Sequence, residues 1–161
     1  MRRPVSILLP GLHGTVDVFA RFVAAAPDGF PVQCQPLPTE IVRSYGELAE
    51  WVSERLPPEP VMLIAESFSG PLAVLVADRC PRVVGIVLSA SFVERPLPAF
   101  LAHVPAFLWR QPPPIALLNM VLTGGDRTLA QEIRRTIATV SGDVLASRAA
   151  AALNVDVRAE L

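Results

Sequence analysis

Two histidines and two cysteines are all that this 161-residue sequence holds of the side chains that most often bind metals or carry a proton near neutral pH. Cys34 and Cys80 fit no zinc-binding spacing and are too few for a disulfide framework, so they read as reduced, buried thiols. Charge of one sign is also scarce. The formal net charge is −1, and the 14 basic residues are scattered singly or in pairs such as Arg2-Arg3 and Arg134-Arg135. That leaves no basic stripe for nucleic acid. No apolar run approaches the roughly 18 residues of a membrane span. After Met1-Arg2-Arg3, Pro10, Gly11 and His13 interrupt any signal-peptide core, so the N-terminus reads as the start of a strand and a cytoplasmic location is expected. There is no Walker lysine and no Gly-x-Gly-x-x-Gly, which argues against a phosphate-binding loop. No cofactor or metal is implied.

What the sequence has is apolar surface. Hydrophobic residues make up 52% and mean hydropathy is +0.44. The length suits one domain with a real core. The surplus predicts some apolar surface facing a partner, a ligand, or nothing that is present in this chain.

The first ninety residues alternate between strand and helix signals. Val5–Leu9 is an apolar run stopped by Pro10-Gly11, and Val32–Leu37 is a second strand weakened at Pro36. Val61–Ala65 and Val83–Leu88 are apolar on both faces, Gly85 apart. Between them, Thr15 or Asp17 is a candidate cap for a helix to about Ala26, with Val18, Phe22 and Ala25 at helical spacing. Ser44-Tyr45-Gly46-Glu47 has capping-box form and precedes a helix presenting Leu48, Trp51, Val52 and Leu56 on one face. A further helix runs from about Gly70 to Arg79. Strands without in/out alternation, separated by helices, predict an α/β fold: a mostly parallel sheet of about four strands with flanking helices. Right-handed crossovers gather the loops that follow the strands along one edge.

After about residue 95 the texture changes. Prolines crowd residues 96–114, including Pro112-Pro113-Pro114, and then come helical stretches near Ile115–Leu122, Thr128–Val140 and Asp143–Asn154. This half holds no convincing strand. The expected organisation is a core over residues 1–95 and a helical lid region over 96–161.

Two segments carry chemistry. Ala65-Glu66-Ser67-Phe68-Ser69-Gly70-Pro71 lies where the third strand meets its helix. A serine on such a tight turn needs small neighbours two before and two after it, here Ala65 and Ser69, while Gly70 allows close helix approach. The competing reading is that Ser67 only caps the helix. Leu9-Pro10-Gly11-Leu12-His13-Gly14-Thr15 follows the first strand and could lend a backbone N–H to an oxyanion, together with that of the residue after the serine.

These segments, with Leu37-Pro38, Ser44-Tyr45-Gly46-Glu47-Leu48 and Ser89-Ala90-Ser91-Phe92-Val93, resemble the serine-hydrolase branch of the α/β-hydrolase superfamily over residues 4–98. The resemblance implies Ser67 as nucleophile and the N–H groups of Phe68 and Leu12 as oxyanion donors, with His13 the alternative to Leu12 should the loop register differ by one. It implies a small-molecule ester or acyl substrate of esterase or acylhydrolase type. A lid lined by Phe100, Leu101, Phe107, Trp109, Leu117 and Met120 would suit an apolar substrate.

The superfamily's order is serine, then acid, then histidine, each after a later strand. No histidine follows His103. The resemblance therefore implies that the last core strands, the acid and the base are absent, as in a C-terminally truncated member with little or no turnover. A Ser67–His13 dyad is the local alternative. His103 reads as packed lid, Glu94 as a surface carboxylate, Glu66 as pointing away from the hydroxyl, and Asp126 as a helix cap. Missing strands would also leave the fourth strand as an open edge, with marginal stability, aggregation or homodimerisation through that edge as the expected consequence. Two rival functions remain: a non-catalytic binding protein or relic using the same pocket, and an acyltransferase or thioesterase whose base comes from a partner subunit.

Overall fold

The computed structural model describes residues 3–96, 115–116 and 123–161. Within it are four strands, β1 (Val5–Leu9), β2 (Val32–Cys34), β3 (Val61–Glu66) and β4 (Val83–Ser89). The helices are α1 (Ala20–Ala24), α2 (Tyr45–Ser53), α3 (Ser69–Arg79), α4 (Arg127–Ala138) and α5 (Gly142–Asn154). The strands form one parallel sheet in the order β2-β1-β3-β4.

The register positions the site. Leu9, last in β1, pairs with Ala65 near the end of β3, so the loops after these strands leave the sheet side by side. α2 and α3 cover the central strands, burying Val61, Leu63 and Ala65 of β3 and Ile7 and Leu9 of β1, while Met62, Ile64 and Glu66 stay half-buried. Leu9, Leu63, Leu48, Val52, Leu72 and Val76 belong to one apolar cluster. α2 starts at Ser44 as the capping box predicts: the Ser44 hydroxyl accepts the Glu47 N–H, and the Glu47 carboxylate accepts the Ser44 N–H at 2.7 Å.

Three expectations are corrected. The helix after the first loop is short. A 3-10 turn (Asp17–Phe19) leads into five α-helical residues, none buried, and Phe22 is 50% exposed. Neither Thr15 nor Asp17 caps it; Thr15 Oγ1 lies instead 3.1 Å from His13 Nδ1. Strand β2 stops at Cys34, and the chain then turns so that the Leu37 N–H reaches the Gly14 carbonyl at 2.8 Å. Finally, β4 is not covered on both faces. Its place at one edge of the sheet is as expected for the fourth strand, and Val84, Val87 and Leu88 are 58%, 48% and 44% exposed.

Beyond β4, Arg95 N–H bonds the Val155 carbonyl and Val157 N–H the Val93 carbonyl, both at 2.9 Å, around an antiparallel bridge between Glu94 and Asp156. The chain thus leaves the core near Arg95 and returns beside the same residues. Asp126 caps α4, accepting the Leu129 N–H at 3.0 Å, as expected. Ala130, Ile137, Val144 and Leu145 form a second cluster, on which Leu12 packs. Leu12 also packs on the main cluster, to which α5 contributes Ala152. His103 and the expected lid-lining residues lie outside the described residues.

Candidate active site

At the β3–α3 junction Ser67 holds φ at +50°, in the left-handed region that costs a non-glycine residue about 1–3 kcal/mol. The surroundings hold it there. The Ser67 N–H bonds the Ser89 carbonyl at 3.1 Å, while its own carbonyl accepts the Gly70 N–H at 3.2 Å and the Ser91 hydroxyl at 2.5 Å. Ala90 is also left-handed, at φ +46°, in the turn that brings Ser91 across from the end of β4.

The small flanking residues have separate reasons. Ala65 is fully buried in β3. Ser69 is fully buried too, and its hydroxyl donates to the Pro10 carbonyl, tying the serine turn to the loop after β1. Gly70 lies against the segment after β4: a Cβ there would meet Ser91 Oγ and stand 2.5 Å from the Phe92 carbonyl oxygen.

Ser67 does not cap the helix through its side chain. The N-cap of α3 is Phe68, with no side-chain cap bond, and the Ser67 hydroxyl makes no hydrogen bond to any described residue. A strained serine with an uncommitted hydroxyl, ahead of a helix N-terminus, is the geometry a nucleophile requires.

The loop supplies donors. The Gly14 N–H bonds the Gly11 carbonyl at 3.0 Å, closing a turn over Leu12 and His13. Among the described residues neither the Leu12 nor the His13 N–H has an acceptor, and neither does the Phe68 N–H. Phe68 is held by its ring, which stacks on Tyr45 at 4.6 Å, and by its carbonyl, which accepts the Tyr45 hydroxyl at 2.9 Å. Burial raises the Tyr45 pKa, so Tyr45 stays a protonated donor.

His13 is buried and stacks on Phe19. Thr15 N–H donates to its Nδ1 at 3.1 Å, which puts the lone pair on Nδ1 and the proton on Nε2. Burial first, and Arg148 second, lower its pKa to about 4. It is therefore neutral near pH 7 with its lone pair already engaged, and no hydrogen bond joins it to Ser67. Glu66 turns its carboxylate onto Gly11, whose N–H it accepts; burial raises its pKa and that bond opposes the rise. Glu94 pairs with Arg158 at 3.0 Å, on the surface and away from the serine turn.

One residue is missing from the sequence reading. Arg148, on α5, is 2% exposed and reaches the loop, donating to the Leu12 carbonyl at 2.8 Å and the Pro38 carbonyl at 2.6 Å.

No family model matches the chain, and no curated protein does. Solved structures do. A hydrolase from Pseudomonas aeruginosa PA01 superposes with a TM-score of 0.73 at 19% identity, over 98% of this chain and 66% of that one. The bottromycin epimerase BotH, solved with bottromycin A2, gives 0.68 at 20% identity, over 94% and 64%. The RedJ thioesterase of prodiginine biosynthesis in Streptomyces coelicolor gives 0.60 at 18% identity, over 91% and 58%. The parallel sheet, its covering helices and these likenesses define the α/β-hydrolase fold. The chain spans 58–66% of the length of these structures. An epimerase stands among them beside a hydrolase and a thioesterase, so the fold alone does not set the reaction. Among the described residues no helix is long and apolar enough to cross a membrane.

Proposed function

We propose that the chain is the nucleophile-bearing part of a serine hydrolase acting on small acyl esters or thioesters. The observation that carries this reading is Ser67 itself: a left-handed serine at a strand-to-helix turn, its hydroxyl and the nearby Phe68 and Leu12 N–H groups without a hydrogen-bond partner among the described residues. Ser67 Oγ attacks the carbonyl carbon, and the Phe68 and Leu12 N–H groups receive the resulting oxyanion, with the His13 N–H the alternative to Leu12. The alcohol or thiol then leaves with the proton lost by Ser67, and water releases the acid. A base must take that proton. His13 is poorly suited, since its Nδ1 lone pair already holds the Thr15 N–H. In this reading the base comes from outside the described residues, either from more of the chain or from a partner subunit.

The test is incubation with p-nitrophenyl acyl esters and acyl thioesters, followed by intact mass and peptide mapping. The expected result is an acyl group on Ser67 with little sustained turnover, and no adduct in Ser67→Ala. Absence of any Ser67 adduct, across both ester and thioester series, contradicts it.

A second reading, a binding protein using the same pocket without catalysis, is favoured by the engaged His13 lone pair. It predicts saturable binding of an apolar ligand, unchanged in Ser67→Ala, without hydrolysis. Pairing of two copies through β4 belongs to the partner-supplied version, and the exposed Val84, Val87 and Leu88 favour it.

A further inference from the structure

A buried cation without a buried anion needs a reason. Taking a guanidinium out of water costs several kcal/mol unless hydrogen bonds and charge compensate it. Arg148 is 2% exposed, and among the described residues no carboxylate pairs with it. Its partners are two carbonyl oxygens, those of Leu12 and Pro38, and the face of Phe68, whose ring centre lies 5.7 Å from Cζ. Burial lowers its pKa to about 10, which still leaves it charged near pH 7. Packing alone would be served by an apolar side chain of similar volume at no desolvation cost.

What these partners share is the oxyanion pocket of the proposed reaction. Phe68 carries one candidate donor. The Leu12 carbonyl belongs to the planar peptide unit that ends in the His13 N–H, so holding that oxygen fixes the direction of that N–H. The preceding peptide, which contains the Leu12 N–H, is held separately by the bond from the Gly14 N–H to the Gly11 carbonyl. Gly14 sits directly under the guanidinium: its φ is +75°, and a Cβ there would collide with Arg148 Nη1. The loop is shaped around the arginine.

We propose that Arg148 is a positioning residue of the oxyanion pocket, holding the Leu12–His13 peptide while its guanidinium lies over the Phe68 ring, and placing behind the N–H donors a positive charge that no described carboxylate pairs. The proposal rests on the reading of Ser67 as nucleophile for its catalytic consequence, but the clamp itself does not.

The test therefore has two readouts on Arg148→Met and Arg148→Lys. The first is amide hydrogen exchange, which reports the loop whether or not Ser67 reacts. Exchange over residues 11–15 should accelerate at least about tenfold in Arg148→Met while β3 is unchanged. The second is the rate of Ser67 phosphonylation by a fluorophosphonate under conditions where the variants are folded. It should fall by about tenfold or more in Arg148→Met, with partial recovery in Arg148→Lys, which keeps the charge but not the fork. Should Arg148→Met fail to fold, the same two readouts on Arg148→Lys decide, with intermediate losses expected. Loop exchange equal to wild type in the folded variants overturns the clamp. Accelerated loop exchange with an undiminished labelling rate overturns the catalytic part. If wild-type Ser67 takes no label at all, the nucleophile reading fails and the exchange data still judge the clamp.

Discussion

The Ser69 hydroxyl donates to the Pro10 carbonyl at 2.5 Å, joining the turn that carries Ser67 to the loop that carries Leu12 and His13. Both groups are buried, and this bond links the two halves of the site directly. Ser69→Ala would leave the Pro10 carbonyl without this partner, an omission that costs about 1–3 kcal/mol. Urea denaturation should report a loss of that size with an unchanged slope, and an unchanged midpoint would refute it.

The left-handed φ of Ser67 gives a second expectation, which separates backbone from side chain. Ser67→Gly relieves the strain and should stabilise the fold by about 1 kcal/mol relative to Ser67→Ala, which retains a Cβ. Thermal denaturation of the two variants, both unable to form an adduct, measures the difference. Equal stabilities would mean that the turn is not strained.

His13 gives the pH dependence. Its folded pKa, about 4, lies below the ordinary value of 6.5, so the unfolded chain binds the extra proton first. The stability contributed by burying neutral His13 is complete above about pH 6.5 and is lost as pH falls towards 4. Nitrogen-detected NMR should find the Nε2–H tautomer and no titration between pH 5.5 and 7.5 (the range chosen for the measurement). His13→Gln should flatten the stability profile between about pH 4 and 6.5. A folded-state titration near 6.5 would contradict the burial argument.

Much of this fold is legible in the sequence, for physical reasons. Val61–Glu66 and Val5–Leu9 form buried strands because apolar runs bounded by loop residues have few other places to go. The Ser44–Glu47 capping box and the Asp126 cap are local, and local chemistry survives the tertiary context. The Ser67 turn is legible because crowding restricts its neighbours to small residues. Arg148 is not legible, because its partners are carbonyl oxygens 136 and 110 residues away, and a carbonyl leaves no mark on side-chain patterns. The helical spacing of Val18, Phe22 and Ala25 misleads for the opposite reason: periodicity marks a face without saying that anything covers it. β4 misleads only as to how far its faces are covered, since its place at the sheet edge is the one expected for the fourth strand.

The edge carries its own expectation. Val84, Val87 and Leu88 expose apolar area on a strand whose outer edge has no partner strand among the described residues, which favours pairing with another copy. Sedimentation velocity should find concentration-dependent association that Val87→Lys suppresses. A monomer at all concentrations, unaffected by Val87→Lys, would remove this expectation.

Everything proposed for the site depends on Ser67 being its reactive atom. The most direct measurement is fluorophosphonate labelling of the intact chain, with every modified serine mapped by mass spectrometry. The expected result is slow modification confined to Ser67, eliminated in Ser67→Ala and faster with added imidazole, which supplies the base that Ser67 lacks among the described residues. Label spread over several serines, or unchanged in Ser67→Ala, would contradict the account.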